Sequence, residues 1–135
     1  MGFSEAVRSV FSNYANFRGR ASRPEFWWFA LFALIAQFML GLLDSIVVGP
    51  ILGLSPLSGH GARPLGALFS LAIFVPSLAV GARRLHDTGR SAGWMLIWLI
   101  PMIGWLIFFF LAARPTEPVT NQYGPPPLRQ PDPYR

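Results

Sequence analysis

Apolar residues fall along this chain in three long runs, separated by two segments that concentrate nearly all of its charge. From Phe26 to Leu43 the only polar residue is Gln37. About 20 apolar residues are needed to cross a hydrocarbon core of roughly 30 Å, so the pattern predicts a first transmembrane helix over about 26–43, with Asp44 marking its far end. A second span is predicted over 65–82, with Pro76 as a kink, and a third over 94–113, which carries no charge. Within the third, Pro101 and Gly104 allow two forms, a kinked single span or a re-entrant hairpin. The single span is the reading adopted, since each half alone is too short to cross.

Between the first two runs, "IVVGPILGLSPLSGHGARP" is broken by Gly and Pro and reads as an extramembrane or interfacial loop. Ahead of the first run, Phe3, Val7, Val10, Phe11, Tyr14 and Phe17 share one face of a helix, with polar residues largely opposite. Such a helix lies in the membrane interface or packs on the transmembrane bundle. The expected fold is thus an all-α integral membrane protein: a cytoplasmic amphipathic segment over 1–21, a transmembrane domain over 22–113, and a proline-rich, mobile tail over 114–135. The first span, which no cleavage site precedes, is expected to act as an uncleaved signal anchor.

Composition agrees with this. Hydrophobic residues make up 53% of the 135 and charged ones 13%, against roughly 25% charged in soluble domains, which leaves too little polar surface for a water-facing globule. The net charge of +5 comes entirely from arginine, and basic residues flanking apolar spans obey the positive-inside rule rather than mark a nucleic-acid partner. Seven arginines (8, 18, 20, 23, 83, 84, 90) flank the N-terminal and second-loop ends, against Arg63 in the first loop and Arg114 at the start of the tail. The N-terminus and the 83–92 loop are therefore expected in the cytoplasm; the tail lies outside with three crossings and inside with a re-entrant third segment. With no cysteine and two histidines, disulfides, thiol catalysis and a metal centre are not expected, and no motif calls for a cofactor.

Two charged motifs carry the candidate chemistry. "SRPE" fits a capping box, in which Ser22 caps the first span and the Glu25 side chain reaches back, with Pro24 harmless in the first turn. "ARRLHDTGRSAGW" leaves the second span, turns at Gly89 and enters the third at Ser91, a plausible N-cap. Arg83 and Asp87 stand four apart and are spaced to bridge. By the topology above, Arg18, Arg20, Arg23, Glu25, Arg83, Arg84, His86, Asp87 and Arg90 meet at one membrane face. They read as an interfacial ion-pair network locking the first span to the second loop, or as an anion site for lipid headgroups or lipid carriers. A third reading makes His86 a general acid or base oriented by Asp87 or Glu25; adjacent helical residues do not face each other, and no nucleophile or phosphate-loop motif accompanies them. No catalytic residue is assigned. Gly41, Gly81 and Gly104 would permit close helix approach.

Four ordered stretches, "NYANFRGRASRPEFWWF", "RRLHDTGRSAGW", "LIPMIGW" and "NQYGPPP", resemble the small bacterial inner-membrane proteins of domain-of-unknown-function family 805, over about Tyr14 to Pro127. The resemblance implies a small multi-pass inner (plasma) membrane protein and supplies no reaction. Among functions, the sequence favours a structural or accessory subunit that binds another membrane protein or itself. The alternatives are an anionic-lipid or lipid-carrier binding or transport component and, less favoured, a lipid-headgroup enzyme.

Overall fold

The computed structural model describes residues 2–51, 53 and 63–127. Helix α1 (Phe3–Ser12) is followed by α2 (Arg23–Leu43), which continues through a π-helical turn (Asp44–Val48) into the short α3 (Gly49–Ile51). Helix α4 (Pro64–Asp87), a 3₁₀ segment (Ala92–Leu99) and α5 (Ile103–Ala112) complete the order. The described residues contain no strand, only an isolated bridge between Asn121 and Gly124.

Among the described residues, two helices are long and apolar enough to cross a membrane: the continuous 29-residue rod Arg23–Ile51 and the 24-residue α4. At 1.5 Å per residue they run about 43 and 36 Å, longer than the roughly 30 Å core, which tilt and polar ends accommodate. They pack side by side, and large apolar side chains such as Leu34, Phe38, Leu71 and Phe74 remain exposed on their flanks. A soluble protein would bury these; a bilayer solvates them. Pro76 sits inside α4 and is buried.

The first helix does not end at Asp44. The chain stays helical to Ile51, and Asp44 is 2% exposed because it serves the neighbouring helix. Its two carboxylate oxygens accept from the backbone N–H groups of Leu65 and Gly66, both at 3.0 Å. These are among the donors that the first turn of α4 leaves without intrahelical partners, and the negative charge also suits the positive end of that helix. Asp44 is thus a cap supplied from across the fold. Asp44→Ala is expected to lower the thermal midpoint in detergent by the weight of a lost cap, about 1–2 kcal/mol, with Asp44→Asn recovering part of it. Equal midpoints for all three proteins would remove Asp44 from this role. Of the Gly/Pro-rich loop, residues 46–51 prove helical, residue 52 and residues 54–62 lie outside the described residues, and Gly53 makes a turn with Pro50.

The third apolar run is not one continuous helix. Its first leg is a 3₁₀ helix of 8 residues and its second an α-helix of 10, about 16 and 15 Å long, each about half the membrane core. The chain reverses over Ile100–Met102, where Met102 takes a φ of 62°, and the legs pack back to back through Trp98 against Trp105, Phe108 and Phe109. The 94–113 segment is a helical hairpin, and the start of the tail returns to the end from which the hairpin left. Of the three glycines considered for close approach, Gly104 is the one that requires it: a Cβ there would overlap the Ile97 carbonyl oxygen and lie 2.8 Å from its carbon. A Cβ on Gly81 would meet Met95 and Phe108 at 3.0 and 3.3 Å, whereas Gly41 faces open space.

Helix α1 lies against α2 and α4, burying Ala6 and Val10. Phe3 meets Trp28 and Phe11 meets Phe29, each edge-on at 5.9 Å, and the Tyr14 hydroxyl donates to the Ala72 carbonyl. Packing of this helix on the bundle, one of the two expected placements, is observed. Phe3, Phe11, Tyr14 and Phe17 each stay about 40% exposed along its outer edge.

Candidate functional site

The N-terminus of α2 and the C-terminus of α4 come together because the two helices run antiparallel. That apposition joins the two charged motifs. Ser22 caps α2, accepting from the Glu25 backbone N–H at 3.4 Å, but the reciprocal half of the capping box does not form. The Glu25 carboxylate turns instead to Arg83 of α4, 2.8 Å away, and takes the Ser9 hydroxyl of α1 at 2.9 Å. The expected Arg83–Asp87 bridge is therefore absent: Glu25 has taken Arg83, and Asp87 pairs with Arg84 one turn back and with Arg20 at 2.9 Å.

Asp87 is fully buried, as is Arg84, while the Arg20 side chain is 1% exposed. Buried charges persist only when paired and hydrogen-bonded, and here the bonding is extensive. Asp87 also accepts from the Thr116 hydroxyl at 2.6 Å, and its backbone carbonyl takes the Glu117 N–H at 2.8 Å. Besides Asp87, the Arg84 guanidinium donates to the carbonyls of Ala21 and Ala112, at 2.9 and 2.8 Å, and of Arg114. The Ala112 carbonyl is one of those left open at the C-terminus of α5, where a cation is also favoured by the helix dipole. Arg20 completes the set, donating to the carbonyls of Val119 (2.9 Å), Gly124 (3.2 Å), Asp87 (3.2 Å) and Glu117.

The tail beginning at Arg114 reads in sequence as mobile and solvated; its residues 114–127 instead lie across this cluster, while 128–135 fall outside the described residues. Tyr123 stacks on His86 at 3.9 Å with the rings 4° from parallel, and the Asn121 amide donates to the His86 carbonyl at 3.0 Å. The positions missed by sequence reasoning (Ser9, Thr116, Glu117, Asn121, Tyr123) mostly belong to this strap. The visible signal was the "NQY" of the fourth resembling stretch. Gly89, in the left-handed region at φ 81° as the turn requires, lets the strap approach: a Cβ there would stand 2.6 Å from a Glu117 carboxylate oxygen.

His86 and Asp87 form no dyad. The His86 Nδ1–H donates to the Gly19 carbonyl at 3.0 Å, while Asp87 faces the arginines. The ring lies beyond the apolar 65–82 stretch, and its burial pushes the pKa below the ordinary imidazole value, opposed by the Gly19 carbonyl. Its tautomer and ring plane serve to hold Gly19 and Tyr123.

Of the nine candidate residues, Arg20, Glu25, Arg83, Arg84, His86 and Asp87 are brought together. Arg18 and Arg23 stay exposed and Arg90 half-exposed at the rim, with Arg23 reaching the Ala113 carbonyl at 3.5 Å. Ser91 begins the 3₁₀ segment without a side-chain cap bond. No metal-binding group of His, Cys, Asp or Glu occurs among the described residues. Arg83 is the exception to saturation: its Nε and Nη2 are buried and have no partner there.

Because Glu25 and Arg83 are both nearly buried, removing either leaves the other charge uncompensated. A double-mutant cycle of Glu25→Gln and Arg83→Met is expected to give a coupling of about 2 kcal/mol in detergent unfolding, in the range for residues in direct contact. Additive losses would mean that the pair contributes nothing as a pair.

The sequence model described as "Protein of unknown function (DUF805)" matches residues 14–125, spanning both charged motifs, the hairpin and the strap. The chain is 44% identical over 122 residues to "Inner membrane protein YhaH" of Escherichia coli K12, covering 90% of this chain and 95% of that one. It is 39% identical over 119 residues to "Inner membrane protein YhaI" of the same strain, covering 88% and 92%. No solved structure matches.

Proposed function

The chain belongs to the DUF805 family, and on that premise we propose that it is a small inner-membrane accessory protein: its charged end clasps the fold, and its apolar flanks receive another membrane protein or a second copy. Placement in the inner membrane rests on the names of the relatives YhaH and YhaI and on the two long apolar helices. One observation carries the clasp. The donors of Arg20 and Arg84 are directed at Asp87 and at seven backbone carbonyls, which leaves those two guanidiniums little with which to grip a passing anion. Backbone carbonyls are present whatever the sequence, so arginine forks aimed at them brace a fold rather than read a ligand.

The same observation disfavours the alternative in which the buried cluster takes lipid headgroups or lipid carriers. An enzymatic reading fares worse, since His86 and Asp87 are each engaged with separate partners. For topology we infer two crossings with a re-entrant hairpin, the N-terminus, the 83–92 loop and the strap all on the cytoplasmic side. Arg114 then joins the seven arginines already assigned there, and of the arginines up to residue 114 only Arg63 marks the far side.

The test is extraction from native membranes in polymer nanodiscs through a tag on the tail, followed by mass spectrometry of what is co-isolated. A stoichiometric second membrane protein, or a second copy, is expected. Single chains accompanied only by lipid would overturn the accessory reading.

A further inference from the structure

Beyond that reading, a second feature of the molecule has the form of a ligand site. Beneath the hairpin, between α2 and α4, lies a cavity of about 670 Å³, walled by Ala30, Ala33 and Gln37 of α2, Ser77 of α4, and Trp98 and Phe109 of the hairpin. Its size and its mostly apolar lining with a few polar groups are those of small-molecule sites. It exists because the hairpin reaches only about halfway across, leaving the facing sides of α2 and α4 uncovered below it.

Three observations bear on the kind of ligand it would suit. First, Arg23, Phe26, Ala30, Ala33 and Gln37 are spaced 3, 4, 3 and 4 residues apart and so share one face of α2. Arg23 therefore stands over the groove at the charged end of the protein. The opposite wall converges on the same point, since Phe109 lies one turn before Ala113, whose carbonyl Arg23 touches at 3.5 Å. Second, Arg23 and Arg114, which follows that Ala113 carbonyl in sequence, are exposed, unlike the arginines consumed by the clasp. Third, the groove has a polar foot. Gln37 donates to the Gly66 carbonyl at 3.3 Å and accepts from Ser70 at 3.5 Å. Phe26 to Gln37 is eleven residues, about 16 Å of helix, or about one leaflet of hydrocarbon.

We propose that this groove is a binding site for one anionic phospholipid, its phosphate held at Arg23 and Arg114 and one acyl chain lying over Ala30 and Ala33. The small side chains leave room for the chain, the aromatic wall contacts it, and the cationic rim selects the headgroup charge. A zwitterionic headgroup would bring its own cation against this cationic rim, so the arrangement favours an anionic one.

The probe is phosphatidylglycerol. Protein reconstituted into vesicles of equal parts phosphatidylglycerol and phosphatidylcholine, then extracted gently, is assayed for retained lipid by native mass spectrometry. Wild-type protein is expected to retain one phosphatidylglycerol per chain in preference to phosphatidylcholine. Arg23→Gln should cut that preference about fivefold, the weight of one interfacial arginine, while keeping a lipid in the groove. Ala33→Phe, filling the groove, should lose the retained lipid of either kind. Ser70→Phe, at an exposed position on α4, provides a second filling variant, and helical content by circular dichroism identifies any variant that has merely unfolded. Glycerol 3-phosphate should fail to displace the lipid, since it lacks the chain. The proposal is overturned if both filled variants fold and retain lipid as wild type does, if Arg23→Gln leaves the preference unchanged, or if glycerol 3-phosphate competes. It is also overturned if filling the groove instead converts a dimer to monomers, which would give the groove to a second copy.

Discussion

Asp87→Asn is expected to be among the most damaging single substitutions available in this protein, costing about 3–5 kcal/mol, the range for removing one partner of a buried ion pair. The side chain it replaces is fully buried between Arg84 and Arg20, which are 0% and 1% exposed. Asparagine keeps the volume and one acceptor but removes the charge that balances two guanidiniums. Its new N–H₂ group also points donors toward groups that are themselves donors, the Arg20 or Arg84 N–H and the Thr116 hydroxyl. Two buried guanidiniums are then left without their counter-charge, so relief must come from opening the cluster to water. That opening has a predictable first victim. The 114–127 strap is held chiefly through Asp87, Arg20 and His86, so limited proteolysis should cut it in Asp87→Asn at protease concentrations that leave wild type intact. The thermal midpoint in detergent should fall together with the protection. Wild-type values of both would mean that Asp87 is not the hub of the clasp. Release of the strap with an unchanged midpoint would mean that the hub holds the tail alone.

What the sequence made legible follows from which interactions are local. The Ser22 cap, the left-handed turn at Gly89 and the existence of two long apolar helices depend on residues within a few positions of one another, and these were legible, although the first helix runs past its expected end at Asp44 to Ile51. The convergence of the two charged motifs was also legible, because two antiparallel crossings put them at one end whatever the details. Partner choice within the cluster was not. Arg83 and Arg84 both have Asp87 within one helical turn, and what separates them is Glu25 on another helix, which draws Arg83 away. Asp44 looked like a terminus because a carboxylate in an apolar run usually is one; its partners are N–H groups 21 and 22 residues further on. The strap was hidden for a related reason. Arginine bonds there to backbone carbonyls, which leave no trace in the side-chain pattern, and prolines that read as a loose tail equally suit an extended segment held by its carbonyls.

The hairpin shows the limit most sharply, because composition gives a span and a hairpin the same apolar run. The choice rests on one backbone approach, and Gly104→Ala tests it. A methyl group at residue 104 would coincide with the Ile97 carbonyl oxygen and crowd the Ile100 Cβ at 3.2 Å. The obstacle is backbone, which cannot rotate aside as a side chain would. Overpacking by one carbon usually costs about 1–3 kcal/mol, and this contact belongs at or above the top of that range. The released legs have an alternative of comparable burial in lipid, a single kinked span, so the substitution is expected to open the hairpin rather than unfold the protein. Residue 118 would then leave the end that it shares with residue 90. The chain contains no cysteine, so spin labels at Arg90→Cys and Pro118→Cys report that distance without background. In the wild-type background the labels should give one short distance, and with Gly104→Ala the population should move toward the membrane thickness of about 30 Å. Gly104→Ser should behave as alanine does, since any Cβ meets the same carbonyl. A short distance retained in both variants, with the thermal midpoint unchanged, would show that the turn at Ile100–Met102 sets the hairpin and that the close approach at Gly104 only accompanies it.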